Sequence, residues 1–271
     1  MILEGNIRKM KVWLDGNHVQ YGLRLYDNLE AREPISINEF VGKSFSIEYL
    51  HEINCVVSGK KINKTFGDGM SYEAFMNSPE ASPSIIRPEL SRIHEGIALR
   101  DFEWEVEHHL TPHIVYLAQT ADVKVGVTRN TQIPTRWLDQ GAIYTLKLAE
   151  TPYRQAAGLI EVALKNYISD KTSWQKMLKG ELERINLFEL AENLKKYVPT
   201  EMQQYLLGNQ NIDQFIYPIL AYPPKVYSLK LDKTYLIDKK LMGIRGQYLL
   251  FDDGSVFNMR SHSGYKVRIE L

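Results

Sequence analysis

Alternation of hydrophobic and polar positions predicts β structure at both ends of the chain. Near the amino terminus two alternating segments flank Asp15-Gly16-Asn17, residue types that tolerate the positive φ of a tight hairpin turn. Asp253-Gly254 separates two apolar segments in the same way near the carboxyl terminus. Further strands are predicted at residues 44–49, 53–57 and 264–271. The termini are therefore expected to form β-rich units.

The middle of the chain combines β-branched alternation with helical periodicity. A turn at Ala121-Asp122 joins two alternating apolar segments into another hairpin. A short helix should begin near Pro134, where the missing N–H costs least, and end at Gly141. The predicted elements are strands at residues 113–120, 123–128 and 142–148 and helices at residues 134–141 and 154–168. This β-β-α-β-α order predicts a small antiparallel sheet with flanking helices.

Prolines interrupt the acidic segment that precedes this centre. Pro79, Pro83 and Pro88 exclude a long helix there, so short helices in irregular structure are expected. Helices are also predicted at residues 183–197, from an apolar stripe, and at 200–207, from a capping-box spacing. The fold class is α/β, of the α+β type. The predicted segments are residues 1–60, 61–112, 113–180, 181–224 and 225–271.

Composition narrows the class of protein. The chain has 33 Lys and Arg against 33 Asp and Glu, so no global charge attracts it to nucleic acid or to a membrane. Its amino terminus carries charges in place of a signal peptide, and no apolar run approaches the roughly 20 residues that span a bilayer. Cys55 is the single cysteine, which excludes an intramolecular disulfide and a thiolate metal cage. A cytoplasmic protein without a membrane partner is expected.

Four polar residues of the central segment form the candidate site. Tyr116 lies on its first strand, Lys124 on the second, Arg136 on the short helix and Glu161 on the longer helix. In this order the segment resembles the GIY-YIG superfamily, which cuts or binds nucleic acids. Ile114-Val115-Tyr116 resembles the first motif, with isoleucine in place of glycine, and Lys124-Val125-Gly126 resembles the second, with lysine in place of tyrosine.

The resemblance implies a role for each residue. Glu161 would hold Mg²⁺ or Mn²⁺, and Arg136 would grip the phosphate bidentately. Tyr116, its pKa lowered by the metal and nearby cations, would orient or deprotonate water. Lys124 would replace the missing tyrosine as a point charge. Nucleic-acid binding is assigned to Arg129, Arg136 and Lys165.

Structural explanations of the same residues stay open. Glu161 and Lys165 have the i,i+4 order of an ordinary ion pair on a helix surface. Tyr116 in an apolar strand is typical of a core residue, and Arg136 beside Trp137 is compatible with a stacking role. A zinc site between His109 and His113 is not expected, because the proline between them breaks helical spacing.

Nearly the whole chain resembles one further family, the domain of unknown function 2797. Residues 124–142 and 243–249 carry this resemblance. Many members resemble a zinc ribbon before the central hairpin, with several Cys-x-x-Cys pairs. Here Cys55 is retained, and non-cysteine residues stand about where the other cysteines fall: Ser58, Ser71, Ala74, Ala81, Ser84 and Ser91. We therefore expect a degenerate zinc ribbon without zinc.

Two functions remain as hypotheses. The first is nucleic-acid binding through the GIY-YIG-like segment, with metal-dependent phosphodiester cleavage as its catalytic version. The second is a non-catalytic scaffold in a protein assembly. Clustering of Tyr116, Lys124, Arg136 and Glu161 in space would favour the first, and an apolar patch without that cluster would favour the second.

Overall fold

The computed structural model describes residues 1–169, 171, 173–208 and 210–271. The strands are β1 (Ile2–Ile7), β2 (Lys11–Asp15), β3 (His18–Leu23), β4 (Leu25–Asp27), β5 (Glu30–Ala31), β6 (Ile35–Ser36), β7 (Ser44–Ile53), β8 (His113–Gln119), β9 (Val123–Arg129), β10 (Tyr144–Thr151), β11 (Asp213–Gln214), β12 (Tyr227–Leu229), β13 (Leu236–Arg245), β14 (Tyr248–Phe251), β15 (Ser255–Asn258) and β16 (Tyr265–Glu270).

Helices cluster in the middle of the chain. The α-helices are α1 (Tyr72–Asn77), α2 (Pro83–Ile86), α3 (Phe102–His109), α4 (Thr135–Asp139), α5 (Arg154–Leu164), α6 (Trp174–Leu178) and α7 (Leu187–Lys195). Short 3-10 helices add Asn38–Phe40, Pro79–Ala81, Pro88–Leu90, Ile93–Glu95, Asn130–Gln132, Thr200–Tyr205 and Arg260–His262. This mixture confirms the predicted α+β class. In the described part of the chain, no helix is long and apolar enough to cross a membrane.

The largest sheet joins the two ends of the chain. Its strand order is β12-β15-β14-β13-β7-β16-β1-β4-β5. β16 is antiparallel to both β1 and β7, and β13 pairs on the other side of β7. Strands from the predicted segments 1–60 and 225–271 therefore share one sheet and one core.

A three-stranded sheet has the order β2-β3-β6, and a four-stranded sheet has the order β11-β10-β8-β9. In the four-stranded sheet the inner strand β8 is buried at every position. Side chains alternate between the two faces of a strand. Ile114, Tyr116 and Ala118 accordingly join the core of the large sheet, whereas Val115 and Leu117 join a second core under α5 and α7. β8 thus lies between two hydrophobic cores, which explains why its sequence is apolar throughout.

Gly158 allows the preceding irregular segment to pack on α5. A Cβ at this position would overlap the backbone of Pro88 and Glu89. The close approach brings the 3-10 helix Pro88–Leu90 and α2 beside α5. The segment predicted to be irregular with short helices is so organised, and it forms one wall of the site described below.

The structure corrects several predicted elements. The strand predicted at residues 53–57 is wrong: β7 ends at Ile53, and the backbone turns there so that Cys55 accepts hydrogen bonds from two loops. The helix predicted to reach residue 168 ends at Leu164. The helix predicted from residue 183 begins at Leu187, where the Asn186 side chain caps it. The helix predicted at residues 200–207 is a 3-10 helix that spans Thr200–Tyr205.

Candidate functional site

One cavity brings together the candidate residues of four separate elements. A pocket of about 350 Å³ is lined by Tyr116 of β8, Lys124 of β9, Arg136 of α4, and Glu161 and Lys165 of α5 and its end. Nine further residues complete the lining of this central pocket: Ile85, Ile86, Pro88, Val125, Gly126, Val127, Gln140, Arg154 and Arg260. Five of the six predicted site residues therefore line the same pocket.

Tyr116 is held in place by its cross-strand partner and by α4. It pairs directly with Gly126, and a Cβ on that glycine would lie 2.8 Å from the phenol oxygen. The Tyr116 hydroxyl donates a hydrogen bond to Gln140 Oε1 at 3.3 Å. Burial raises the pKa of Tyr116, and the charge of Arg136 only partly opposes this effect. The phenol therefore keeps its proton at neutral pH in this structure, and a lowering of its pKa by a bound metal stays a prediction.

Among the described residues that line the pocket, one is acidic, and it is Glu161. It is 7% exposed, and its Oε2 atom lies 3.3 Å from Lys165 Nζ. The i,i+4 ion pair expected from the sequence is thus present, although it lies in the pocket wall and not on an open helix surface. The charge of Glu161 also acts on Arg154, two helical turns earlier on α5, where it raises the pKa of the guanidinium against the effect of burial.

Arg136 and Trp137 point in different directions from the short helix α4. Arg136 lines the central pocket, whereas Trp137 is 1% exposed and lies edge-on to Tyr116, with 5.7 Å between the ring centroids. Trp137 therefore anchors α4 in the core while Arg136 faces the cavity.

Arg154 is a site residue that the sequence did not single out. It begins α5 and is 9% exposed; its Nε atom donates to the Ser84 carbonyl at 2.8 Å and another nitrogen donates to the Ile85 carbonyl at 3.0 Å. Burial lowers the pKa of Arg154 to about 10. The only sequence signal is its spacing of two helical turns from Glu161, which places both side chains on one face of α5.

His113 explains how the arginine is held on its remaining side. The His113 Nδ1–H donates to the Thr111 carbonyl at 2.7 Å, so Nε2 is left as an acceptor facing Arg154 at 3.4 Å. Burial lowers the pKa of His113 to about 4, and the neighbouring arginine adds to that effect. Because His113 stays neutral, it does not repel the buried guanidinium and can accept a hydrogen bond from it.

Arg260 reaches the pocket from the other end of the chain. It lies before β16 and forms a forked pair with Asp68, with nitrogen-oxygen distances of 2.6–3.1 Å. No local sequence pattern connects Arg260 to a segment so distant along the chain, which is why sequence analysis missed it.

Arg129 is the predicted nucleic-acid-binding residue that the structure keeps apart from the others. It ends β9 opposite His113 and lies outside the described lining of the central pocket. Burial lowers its pKa, and the charges of Glu107 and Glu80 oppose that effect. Arg129 therefore faces the acidic segment and not the cavity.

Cys55 occupies the place where the expected zinc ribbon would begin. Its buried Sγ accepts the backbone N–H groups of Ser58 at 3.5 Å and Ser71 at 3.1 Å. Burial tends to raise the pKa of this thiol, but the hydrogen bonds outweigh it and lower the pKa to about 6. Among the described residues, no group of three or more His, Cys, Asp and Glu is placed to hold a metal.

The three sheets and the cation-lined pocket define an α+β protein with a polar site between a β-hairpin and two helices. A family model described as "Protein of unknown function (DUF2797)" matches residues 42–267. The chain belongs to this family, which confirms the resemblance carried by residues 124–142 and 243–249. Searches of curated proteins and of solved structures found no match.

Proposed function

We propose that the chain binds a nucleic acid by holding a backbone phosphate in the central pocket. The observation that carries this proposal is the charge of the lining, which combines five lysine and arginine side chains with one carboxylate. The protein as a whole has no net charge, so this surplus is concentrated locally. A cleft lined mainly by cations focuses a positive potential and attracts anionic ligands.

The chemical types of the cations suit a phosphodiester. The guanidinium of Arg136 presents paired N–H donors that match two phosphate oxygens, and Lys124 supplies a point charge on the facing strand. The phenol O–H of Tyr116 donates to Gln140 in this structure and would become a third donor on exchanging that partner for a phosphate oxygen. Binding through such contacts weakens steeply as salt concentration rises.

The arrangement also supports the GIY-YIG-like interpretation. Tyr116 pairs with Gly126 across the hairpin, Arg136 follows on the next helix, and Glu161 lies on the later helix. All four residues line one cavity. A structural scaffold would not require this clustering, so it favours the binding hypothesis.

A divalent ion would fit the pocket only together with the phosphate, because the lining offers one carboxylate against five cations. Glu161 supplies a single carboxylate, and Mg²⁺ commonly takes one or two carboxylates together with waters and substrate phosphate oxygens. When bound, the ion would supply charge stabilisation to the phosphate and the leaving oxygen. Arg136 would orient the phosphate, and Tyr116 would hold a proton at its phenol oxygen near the attacking water. Glu161 would then exchange part of its contact with Lys165 for the ion.

Binding and cleavage of single-stranded, duplex and structured nucleic acids test the proposal. We expect Arg136→Gln to weaken binding at least tenfold. The slope of log affinity against log salt concentration should become shallower by about 1, as expected when one phosphate contact is lost. Arg184→Gln is the matched control, because Arg184 is exposed and lies outside the pocket lining. Equal binding by both variants, or no binding by the native chain, would reject the proposal and leave the scaffold hypothesis.

A further inference from the structure

A second cavity of about 250 Å³ adjoins the central pocket. The two cavities share three lining residues, Ile85, Ile86 and Arg260. The other lining residues of this side cavity are Gly67, Asp68, Met70, Phe75, Glu80, Ala81 and Ser82. A ligand group in the side cavity would therefore be a direct neighbour of a phosphate in the central pocket.

The chemistry of the side cavity is unlike that of the central pocket. Its lining carries the carboxylates of Asp68 and Glu80, and its one arginine, Arg260, is already paired with Asp68. Carboxylates repel a second phosphate but accept hydrogen bonds from N–H groups. Phe75 and Met70 add an apolar surface suited to a flat ring. A neutral, planar group with N–H donors matches this combination.

The border between the cavities is built from α2. Ile86 at the end of this helix is 83% exposed, whereas Ile85 is 37% exposed. Arg154 donates to the carbonyls of Ser84 and Ile85, so a residue of the central pocket fixes the position of the border. An exposed isoleucine held at the junction offers an apolar edge against which a ring can pack.

We propose that the side cavity receives an unpaired nucleobase attached to the phosphate in the central pocket. This inference rests on the proposed function and specifies its substrate class: a single-stranded nucleic acid or an unpaired nucleotide within a structured one. A base paired in a duplex presents its N–H groups to its partner strand and cannot enter the cavity without leaving the stack. Single-stranded recognition commonly combines a cationic path for the backbone with ring packing of bases.

The test compares single strands with and without bases, on deoxyribose and on ribose backbones. The probes are a single-stranded deoxyadenosine oligonucleotide, its RNA counterpart, and abasic oligonucleotides of the same length and backbone. We expect the native chain to bind the base-carrying strand at least about fivefold more tightly than the abasic strand, as ring packing of one base implies. A duplex of the same sequence should bind more weakly than the single strand.

Two variants locate the difference. Ala81→Phe fills the side cavity and should lower affinity for the base-carrying strand to the abasic level, with abasic binding unchanged. Ile86→Ser, at a side chain that is 83% exposed, tests the border without removing a core residue and should give a smaller loss in the same direction. Ala31→Phe is the control, because Ala31 is exposed on β5 and lines neither cavity.

The outcomes separate this inference from the proposed function. Equal affinity of the native chain for base-carrying and abasic strands would overturn the base site while keeping the phosphate site. An equal loss for both strands in Ala81→Phe would do the same, since the effect would not depend on the base. Absence of binding to every probe would overturn both proposals.

Discussion

The phenol of Tyr116 occupies the space beside Gly126, its partner across the β8–β9 hairpin, where any other residue would place its Cβ. A methyl group on residue 126 would lie 2.8 Å from the hydroxyl oxygen and 2.9 Å from the adjacent ring carbon. Tyr116 is 1% exposed and part of the main core, so its ring has little room to move. The glycine is therefore required by packing against one particular side chain.

Substituting Gly126→Ala should destabilise the protein by about 1–3 kcal/mol, the usual cost of overpacking a core. The cause is overlap between the new Cβ and the Tyr116 hydroxyl. Combining it with Tyr116→Phe, which removes the oxygen, should recover part of the loss. Chemical denaturation of the single and double variants measures the coupling. Additive losses would show that the glycine is needed for another reason.

Arg245 should be a major contributor to stability. It is fully buried and donates to the carbonyls of Gly141, Met177 and Thr120, so it links β13 to the segments around the small sheet. Replacement by methionine leaves several buried acceptors without their donor, at about 1–3 kcal/mol each. We expect Arg245→Met to lose at least about 3 kcal/mol in urea unfolding.

Two comparisons complete that experiment. Arg245→Lys retains the charge with fewer donors and should lie between the native chain and Arg245→Met. Arg184→Met removes an exposed arginine and should change the free energy of unfolding by less than about 0.5 kcal/mol. Similar losses for Arg245→Met and Arg184→Met would contradict the structural role of the buried guanidinium.

Stability should fall as pH is lowered from about 6.5 to about 4. Burial lowers the pKa of His113 to about 4 and that of His109 to about 3, so the folded protein keeps both rings neutral in this window. The unfolded chain binds protons there, and this difference favours unfolding as pH decreases. His113 alone should contribute on the order of 3 kcal/mol across the window.

The histidine contribution can be separated from that of the carboxylates. His113→Asn removes one titrating ring, so its free energy of unfolding should depend less on pH between 6.5 and 4 than that of the native chain. His18→Gln is the control, because His18 is exposed on β3. Parallel pH curves for the native and His113→Asn proteins would contradict the prediction.

Glu161→Gln should abolish any effect of Mg²⁺ or Mn²⁺ on nucleic-acid binding and any metal-dependent cleavage. The amide keeps the shape of the side chain but is a poor metal ligand, and it removes a negative charge beside Lys165. Binding without metal should be kept or slightly strengthened. Titrations with each metal and with chelator provide the measurement. Thermal unfolding checks the fold, and metal effects that persist in the variant would place the ligand elsewhere.

Sequence alone predicted the parts of the site that follow one another along the chain. The hairpin at Ala121-Asp122 is confirmed, and the predicted short helix is present as Thr135–Asp139, ending two residues before Gly141, because both turns have local chemical causes. Five predicted residues meet in one pocket because they are placed by adjacent elements. Their roles in binding or catalysis stay predictions.

What sequence did not predict depends on distant contacts. Arg260 reaches the pocket because β16 pairs with strands from the other end of the chain. The sequence around Arg260 contains no pattern that predicts this pairing. Arg154 contacts two backbone carbonyls, which any residue can offer, and the ring of His113 on a different element. Cys55 was assigned to a strand because β-branched neighbours follow it, yet tertiary hydrogen bonds turn the backbone there.

The pairing of β1 and β7 with β16 has a consequence for the order of folding. The hairpin of β8 and β9, and β10 beside it, need only contacts that are close in sequence, whereas the centre of the large sheet needs strands from opposite ends of the chain. Local contacts form sooner because they require less loop closure. We expect pulse-labelled hydrogen exchange to show protection in β8 and β9 before β16. The central pocket would then be completed late, because Arg260 reaches its lining only when the last strand docks.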